Sequence, residues 1–513
     1  MAFNASPDLA NFAGGLNLQD ASGVISPADA IDALNVDFLT RGAIQQRYGY
    51  AAFTSSAATN RYDSLSPFYT TSGTTQLIAG QSTTVQVLNT AGGSVATQTS
   101  LSASPHYFAR YGAPGSELVF IGNGTDKIFK WDGSSFTAPA SMGTVPKGKY
   151  LAVQPSENRL VTCGFSTTTG GPAATTTNKS TVWFSDAGDP TSWGALNYEQ
   201  LDPGDGEITG MVAWQELLLV FKETHIYVFY GNSEASDGSP IFNYRTIPGP
   251  GPIAPQSIVA APDGVYYVGR SGVYKTTGGT PQLVSGKIGA LFGNQPLPGW
   301  YTGSAVNQSA VSSCTGTYWN HRLYFGVPTG TSSTNDHVLV FDPDAGNWTV
   351  YDWTAGALTT FKPSTSEELM FAYATGSKHV ARHSSSYSDD AGSAISARWR
   401  GGWFQPFDGE TTVREVETWA YGNVTTSAGT DFNDGTGTGV AYDFTSSSTW
   451  TWGSGSWTWG SSSWTWGDGP SISRRILRGF GARGFYFSFS FANSTLGRTM
   501  RIERIKPRFK GKR

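Results

Sequence analysis

Residues 208–231, ITGMVAWQELLLVFKETHIYVFYG, hold three apolar runs: Ile208–Trp214, 217–221 and 226–230, broken only by Gln215-Glu216 and Lys222-Glu223-Thr224. Each run has the length of an average strand and is rich in Val, Ile, Phe, Tyr and Trp. Nothing repeats at 3.6 residues, so the pattern predicts an up-down-up meander buried on both faces. Such a sheet is stable only with other sheets packed on it. Similar units recur at 77–88, 118–131, 160–185, 217–230, 265–275, 323–341 and 369–382, with starts 41 to 58 residues apart. Turn pairs such as Asn123-Gly124, Asp132-Gly133, Asp263-Gly264 and Ser271-Gly272 punctuate them. Short strands at this period predict an all-β chain with a β-propeller over 61–386, of about seven blades, six or eight being the neighbouring counts. Two stacked β-sandwiches are the alternative.

The flanks have a different texture. Residues 1–60 read as an N-terminal docking arm. In it Ser26-Pro27-Ala28-Asp29 has the form of a helix start, with a Ser cap, Pro in the first turn and Asp at the positive end, and predicts a helix to about Leu34. Asn35-Val36-Asp37-Phe38 then reads as extended, with a turn at Arg41-Gly42. Beyond 387, apolar and polar or small residues alternate at 394–404, 413–420, 440–444, 485–491 and 500–505. That alternation predicts a separate C-terminal antiparallel β-sandwich or barrel over 387–513, polar on one face. Within it three Trp-Thr-Trp-Gly units supply Trp450 and Trp452, Trp457 and Trp459, and Trp464 and Trp466. In extended chain the two Trp of a unit share a face. They form either a hairpin stack filling the domain's own core or a subunit interface, or an exposed aromatic ladder for sugar, envelope or partner.

Composition narrows the class. Charged residues are 14% of the chain, while Trp, Tyr and Phe number 17, 23 and 29, enough to bury a large core. The two cysteines, Cys163 and Cys314, cannot staple a chain of this size, so no oxidising compartment is implied. The opening residues lack the basic and apolar regions of a signal peptide, and no apolar run is long enough for a membrane span. Charge is unevenly spread. Residues 471–513, including Arg474, Arg475, Arg504 and Arg508, carry +11, and the remainder −15. An acidic body with a basic end suggests contact with an acidic partner, a sister subunit or nucleic acid.

Candidate chemistry is sparse. His379 and His383 stand four apart, a metal spacing only on a helix, and their context is strand-like. Asp202, Asp205 and Glu207 could do acid–base work, but Pro203, Gly204 and Gly206 between them favour a solvated loop. The 431–435 run resembles a calcium loop but has Thr436 and Tyr442 where that loop needs Gly and Glu. Turns at Ser185-Asp186-Ala187-Gly188…Trp193 and Asp344-Ala345-Gly346-Asn347-Trp348 loosely resemble the repeated turn of sialidase-like propellers, with unequal spacing to the Trp. There is no GxSxG, HExxH or P-loop. The reading is a non-enzyme with no catalytic, metal or cofactor site.

Several phrases resemble the tail proteins of tailed bacteriophages: the arm 14–50, with Asn35-Val36-Asp37, Arg41-Gly42 and Arg47-Tyr48-Gly49; the 184–193 stretch; 212–231; and 253–279. They span roughly the first three quarters of the chain and look most like the nozzle, or tail tubular protein, of short-tailed phages. The resemblance implies a virion protein: a propeller-bearing subunit, six copies round the tail axis below the portal adaptor, with phage DNA passing through. The basic end would then meet the acidic body of the next copy in a heterologous ring. A DNA conduit should not grip phosphate, so its wall should be acidic or neutral. The alternatives are a baseplate or tail-tip component of a long-tailed phage binding host envelope glycan, and a propeller glycan hydrolase using Asp205 and Glu207.

Overall fold

A computed structural model describes residues 8–21, 23–39, 42–165, 179–231, 242–431, 440–444, 472–478 and 480–511. Nearly all regular structure is strand, with a few short 3₁₀ turns. The 208–231 stretch forms Ile208–Trp214, Leu217–Lys222 and His225–Phe229, and Tyr244–Pro248 adds a fourth strand. Gln215 takes φ +51° at the first hairpin, which lets two residues turn the chain. The side chains of Leu218 and Val220 go to one neighbouring sheet, those of Leu219 and Phe221 to the other. This is the period of two, buried on both sides.

Five more four-stranded antiparallel sheets repeat the plan. Their first strands are Ser64–Tyr69, Tyr107–Tyr111, Tyr150–Gln154, Val259–Ala261 and Ala355–Phe361. Together they are six blades of a β-propeller. The expectation of about seven blades thus meets six independent sheets. The 323–341 unit lies in a meander, Thr315–Trp319, Arg322–Val327, His337–Asp342 and Asn347–Tyr351, which belongs to a fifteen-stranded sheet. Apolar clusters fill the junctions between the sheets. Ile78, Val119 and Leu160 join the first three blades, and Met370 and Ala372 pack on Leu77 and Ala79 to close the circle. Each fully buried Val, Leu or Phe contributes about 1.5–3 kcal/mol to that closure.

The last blade is completed by the arm. Its fourth strand is Tyr50–Ala52, paired with Val380–His383. The helix expected from Ser26 does not form, and Asp29–Leu34 is a strand. Ser26 does cap a turn, its Oγ accepting from the Ala28 amide and its carbonyl from the Asp29 amide. Beyond that turn tertiary burial decides. Ala30, Ile31 and Ala33 are buried, and the segment is hemmed in by Ala397–Gly401 and Asn347–Tyr351. Val36–Phe38 is extended as expected, and Gly42 turns at φ +83°.

The C-terminal strands continue the same sheet system. Thr411–Thr430 is its axis, twenty residues long. Its first half pairs with Met500–Gly511 on one edge and Ser473–Arg478 on the other. Its second half pairs with Phe487–Asn493 and Val440–Asp443. Inward residues Val416, Ala420, Phe489, Ile502 and Ile505 share one cluster with Phe12, Leu16 and Ile44 of the arm and with Tyr266 and Val268 of the fifth blade. The alternation seen in the sequence is real, but the core it builds is shared with the arm and the propeller.

Candidate functional site

The arm residues that carry the resemblance converge on one buried polar network. Arg47 is about 1% exposed, and each of its five N–H groups has an acceptor. Nε donates to Asn35 Oδ1 at 2.8 Å. Nη1 donates to the Tyr48 carbonyl at 3.1 Å and Asp390 Oδ1 at 2.8 Å. Nη2 donates to Asp390 Oδ2 at 2.6 Å and Asp352 Oδ1 at 3.0 Å. The guanidinium also lies 5.0 Å from the Trp353 ring centre. Burial pulls its pKa down, but Asp390 and Asp352 outweigh that, and the net shift is upward. Asn35 sits at φ +55°, a conformation Asn tolerates better than most residues, and its Nδ2 donates to the Ser396 carbonyl at 2.8 Å. Asp37 accepts from Arg322 Nη1 at 2.6 Å and from the Tyr351 hydroxyl. The Asp37 charge raises the Arg322 pKa, and burial, then Asp37, raises that of Tyr351.

His383 lies at the same closure, fully buried between Trp353 and Trp319, with ring centroids at 4.7 and 5.4 Å. Its Nδ1 is 2.8 Å from the Gly49 carbonyl; a carbonyl only accepts, so Nδ1 carries the proton. Burial pushes its pKa down to about 4. His379, four residues earlier, contacts the carbonyl and hydroxyl of Thr54 at 3.0 and 2.9 Å. The two histidines therefore hold two points of the closing strand. No group of three metal-ligating side chains occurs among the described residues.

The loop carboxylates turn to separate partners. Asp202 caps a 3₁₀ turn, Pro203–Asp205, accepting from the Gly204 amide at 2.8 Å. Asp205 accepts from the Tyr227 hydroxyl and lies 3.2 Å from His225 Nδ1, while Glu207 pairs with Lys179. Behind them Lys222 is buried, its Nζ on Ser180 Oγ at 3.1 Å and the Asp202 carbonyl. Burial lowers the Lys222 pKa and raises that of Tyr227. In the two sialidase-like turns, Asp186 is held by Ser192 and Asn197, and Asp342 receives the Asp344 and Ala345 amides. Both are ordinary aspartate-capped turns.

Trp450, Trp452, Trp457, Trp459, Trp464 and Trp466 lie outside the described residues, as does all of the 431–435 run except Asp431. The strands flanking the Trp units lie end to end on one edge of Thr411–Thr430, Asp443 opposite Asn423 and Ser473 opposite Ala420. The four candidate arginines are near one another. Arg474 and Arg504 sit opposite Trp419 on its two neighbouring strands, their guanidinium groups 5.6 and 4.9 Å from its ring. Arg474 pairs with buried Glu417. Arg508 approaches Glu417 and Glu415 at 3.4 and 3.7 Å, and Arg504 makes a two-pronged pair with Asp8. Arg475 lies over Tyr442 at 5.7 Å. Much of the positive end is thus matched by carboxylates of its own chain. The segment charges hide this, because Glu415 and Glu417 lie before residue 471 and belong to the acidic body.

Two cavities accompany these groups. One, of about 240 Å³, lies where the first strands meet on the propeller axis, lined by residues such as Ser64, Tyr107, Leu151, Met211, Gln256 and Thr315. The other, of about 300 Å³, lies between the arm, the 385–388 loop and the C-terminal sheet.

No family model matches the chain, and no curated protein matches it. Among solved structures, Chaetomium thermophilum Raptor is similar over 66% of this chain at 11% identity and a TM-score of 0.41. The matched part is 29% of Raptor's length. BamB from Moraxella catarrhalis is similar over 68% of this chain and 95% of its own, at 12% identity and a TM-score of 0.35. Likeness at this level carries no argument about function.

Proposed function

We propose that this chain is a non-catalytic structural subunit of a phage tail, most like the nozzle of short-tailed phages, and that about six copies form a ring in the virion. The observation that carries this reading is the Asn35–Asp37–Arg47 network. The arm residues that resemble phage tail proteins are the ones whose bonds to Asp352, Asp390 and Arg322 fasten the arm to the propeller. A wheel whose own N-terminal strand closes it has few free edges and resists deformation, which suits a particle under internal pressure.

In this reading the 315–351 meander counts as the seventh blade. Its first strand packs between Val259–Ala261 and Ala355–Phe361, which supports that count. The paired strands around Thr411–Thr430 are taken as the C-terminal sandwich. The axial cavity, about 240 Å³, is no larger than a small-molecule pocket, so a DNA path would run between copies and not through one wheel. Peptide counting on purified phage particles tests the proposal. It expects this chain at about six copies per particle. Its absence from the particle overturns the reading.

A further inference from the structure

The second cavity is the part of the molecule whose lining points to a ligand. It opens where Tyr48 of the arm, Tyr387 of the loop leaving the last blade, and Tyr421 and Arg501 of the C-terminal sheet come together. At about 300 Å³ it is at the lower end for small-molecule pockets, and junctions between structural units are where such pockets tend to occur. Three phenols and the hydroxyls of Ser385, Ser386 and Ser388 make a surface rich in paired donors and acceptors, with aromatic rings among them. Such a surface suits a ligand with many hydroxyls and apolar C–H faces.

The charge is specific as well. The charged lining residues are Arg47 and Arg501, and no carboxylate lines the cleft. Arg47 is already neutralised by Asp390 and Asp352. Arg501 gives one nitrogen, Nη2, to Glu503 at 2.8 Å, and its side chain is still 29% exposed, so part of the guanidinium remains open to the cleft. An ionised acceptor is the strongest complement of such a guanidinium edge. We propose that this cleft binds a small hydroxyl-rich ligand bearing a carboxylate, of the uronic-acid class, with the carboxylate at Arg501 and the sugar ring among the tyrosines and serines. The proposal is independent of ring assembly.

Saturation-transfer NMR and calorimetry on the full chain, with glucuronate, glucose and inorganic phosphate as probes, test it. Glucuronate should bind, glucose at least about tenfold more weakly, and phosphate no better than glucose. Arg501→Gln should reduce glucuronate to the level of glucose. Tyr48→Ala, at an exposed position where folding is not at stake, should weaken both sugars. Absence of glucuronate binding, glucuronate binding unchanged in both variants, or phosphate binding as tightly as glucuronate overturns the proposal. So does Tyr48 becoming protected from labelling only when copies assemble, with no sugar bound, because the cleft is then a protein contact.

Discussion

Arg47 is the residue on which the closure turns, and its chemistry sets what substitutions will do. Arg47→Ala would strand the largely buried carboxylate of Asp390, while Asp352, at 39% exposure, stays open to water, so the loss should sit at the lower end for a broken buried pair, about 3 kcal/mol. Arg47→Lys keeps the charge but cannot make five bonds in a planar fork, so it should recover only part of that stability. Denaturant titration of both variants against the parent measures the two losses. An unchanged midpoint for Arg47→Ala would mean that the network does not hold the arm. His383 predicts a pH dependence at the same place. Burial keeps it neutral, with a pKa of about 4 against an ordinary 6.5, beside the charges of Arg47, Asp37 and Arg322. The unfolded chain therefore binds the extra proton first, and stability falls as pH drops from about 6.5 towards 4. The full loss is about 3 kcal/mol. In His383→Gln that part of the slope should vanish between pH 7 and 4.5 in thermal melts, and a slope equal to the parent's would show that other groups carry it. None of this was legible in the sequence. Arg47 stood out there only by resemblance, and its partners Asp390 and Asp352 lie 343 and 305 residues away, beyond any spacing rule.

At the scale of elements, the strand Tyr50–Ala52 is the clasp of the wheel. Removing residues 1–54 would free one edge of Val380–His383 and uncover the cluster around Met370 and Ala372. Hydrogen exchange on the truncated chain should show loss of protection concentrated in the last blade and the meander beside it. Uniform protection would mean that the blades close without the arm. Strands were the most readable feature, because period-two alternation and paired turn residues are local signals that tertiary structure here reinforces. The 208–231 meander is the plainest case. The Ser26 signal misled for the opposite reason. A capped turn is compatible with several continuations, and the two β neighbours of Asp29–Leu34 chose among them. The basic end was legible as composition only. Which arginine meets which glutamate depends on register across Thr411–Thr430, and its two bulges, near residues 414 and 419, shift that register.

For the whole molecule, the proposed role makes one closed, rigid wheel, with its arm and C-terminal strands fused into a shared core, the building block of a larger ring. The internal pairing of Arg474, Arg504 and Arg508 changes what that ring needs. Since these side chains already have carboxylates, salt should weaken the contact between copies less than a bare charge of +11 would suggest. Sedimentation of assembled rings across a salt series checks this, and dissociation at modest salt would restore the basic end as the main contact. The most direct measurement is electron cryomicroscopy of the intact particle at a resolution that places this fold. The account predicts six wheels round the tail axis, with DNA passing between copies. The same fold found as a lone monomer on a glycan it cleaves, or in no part of the particle, would contradict it.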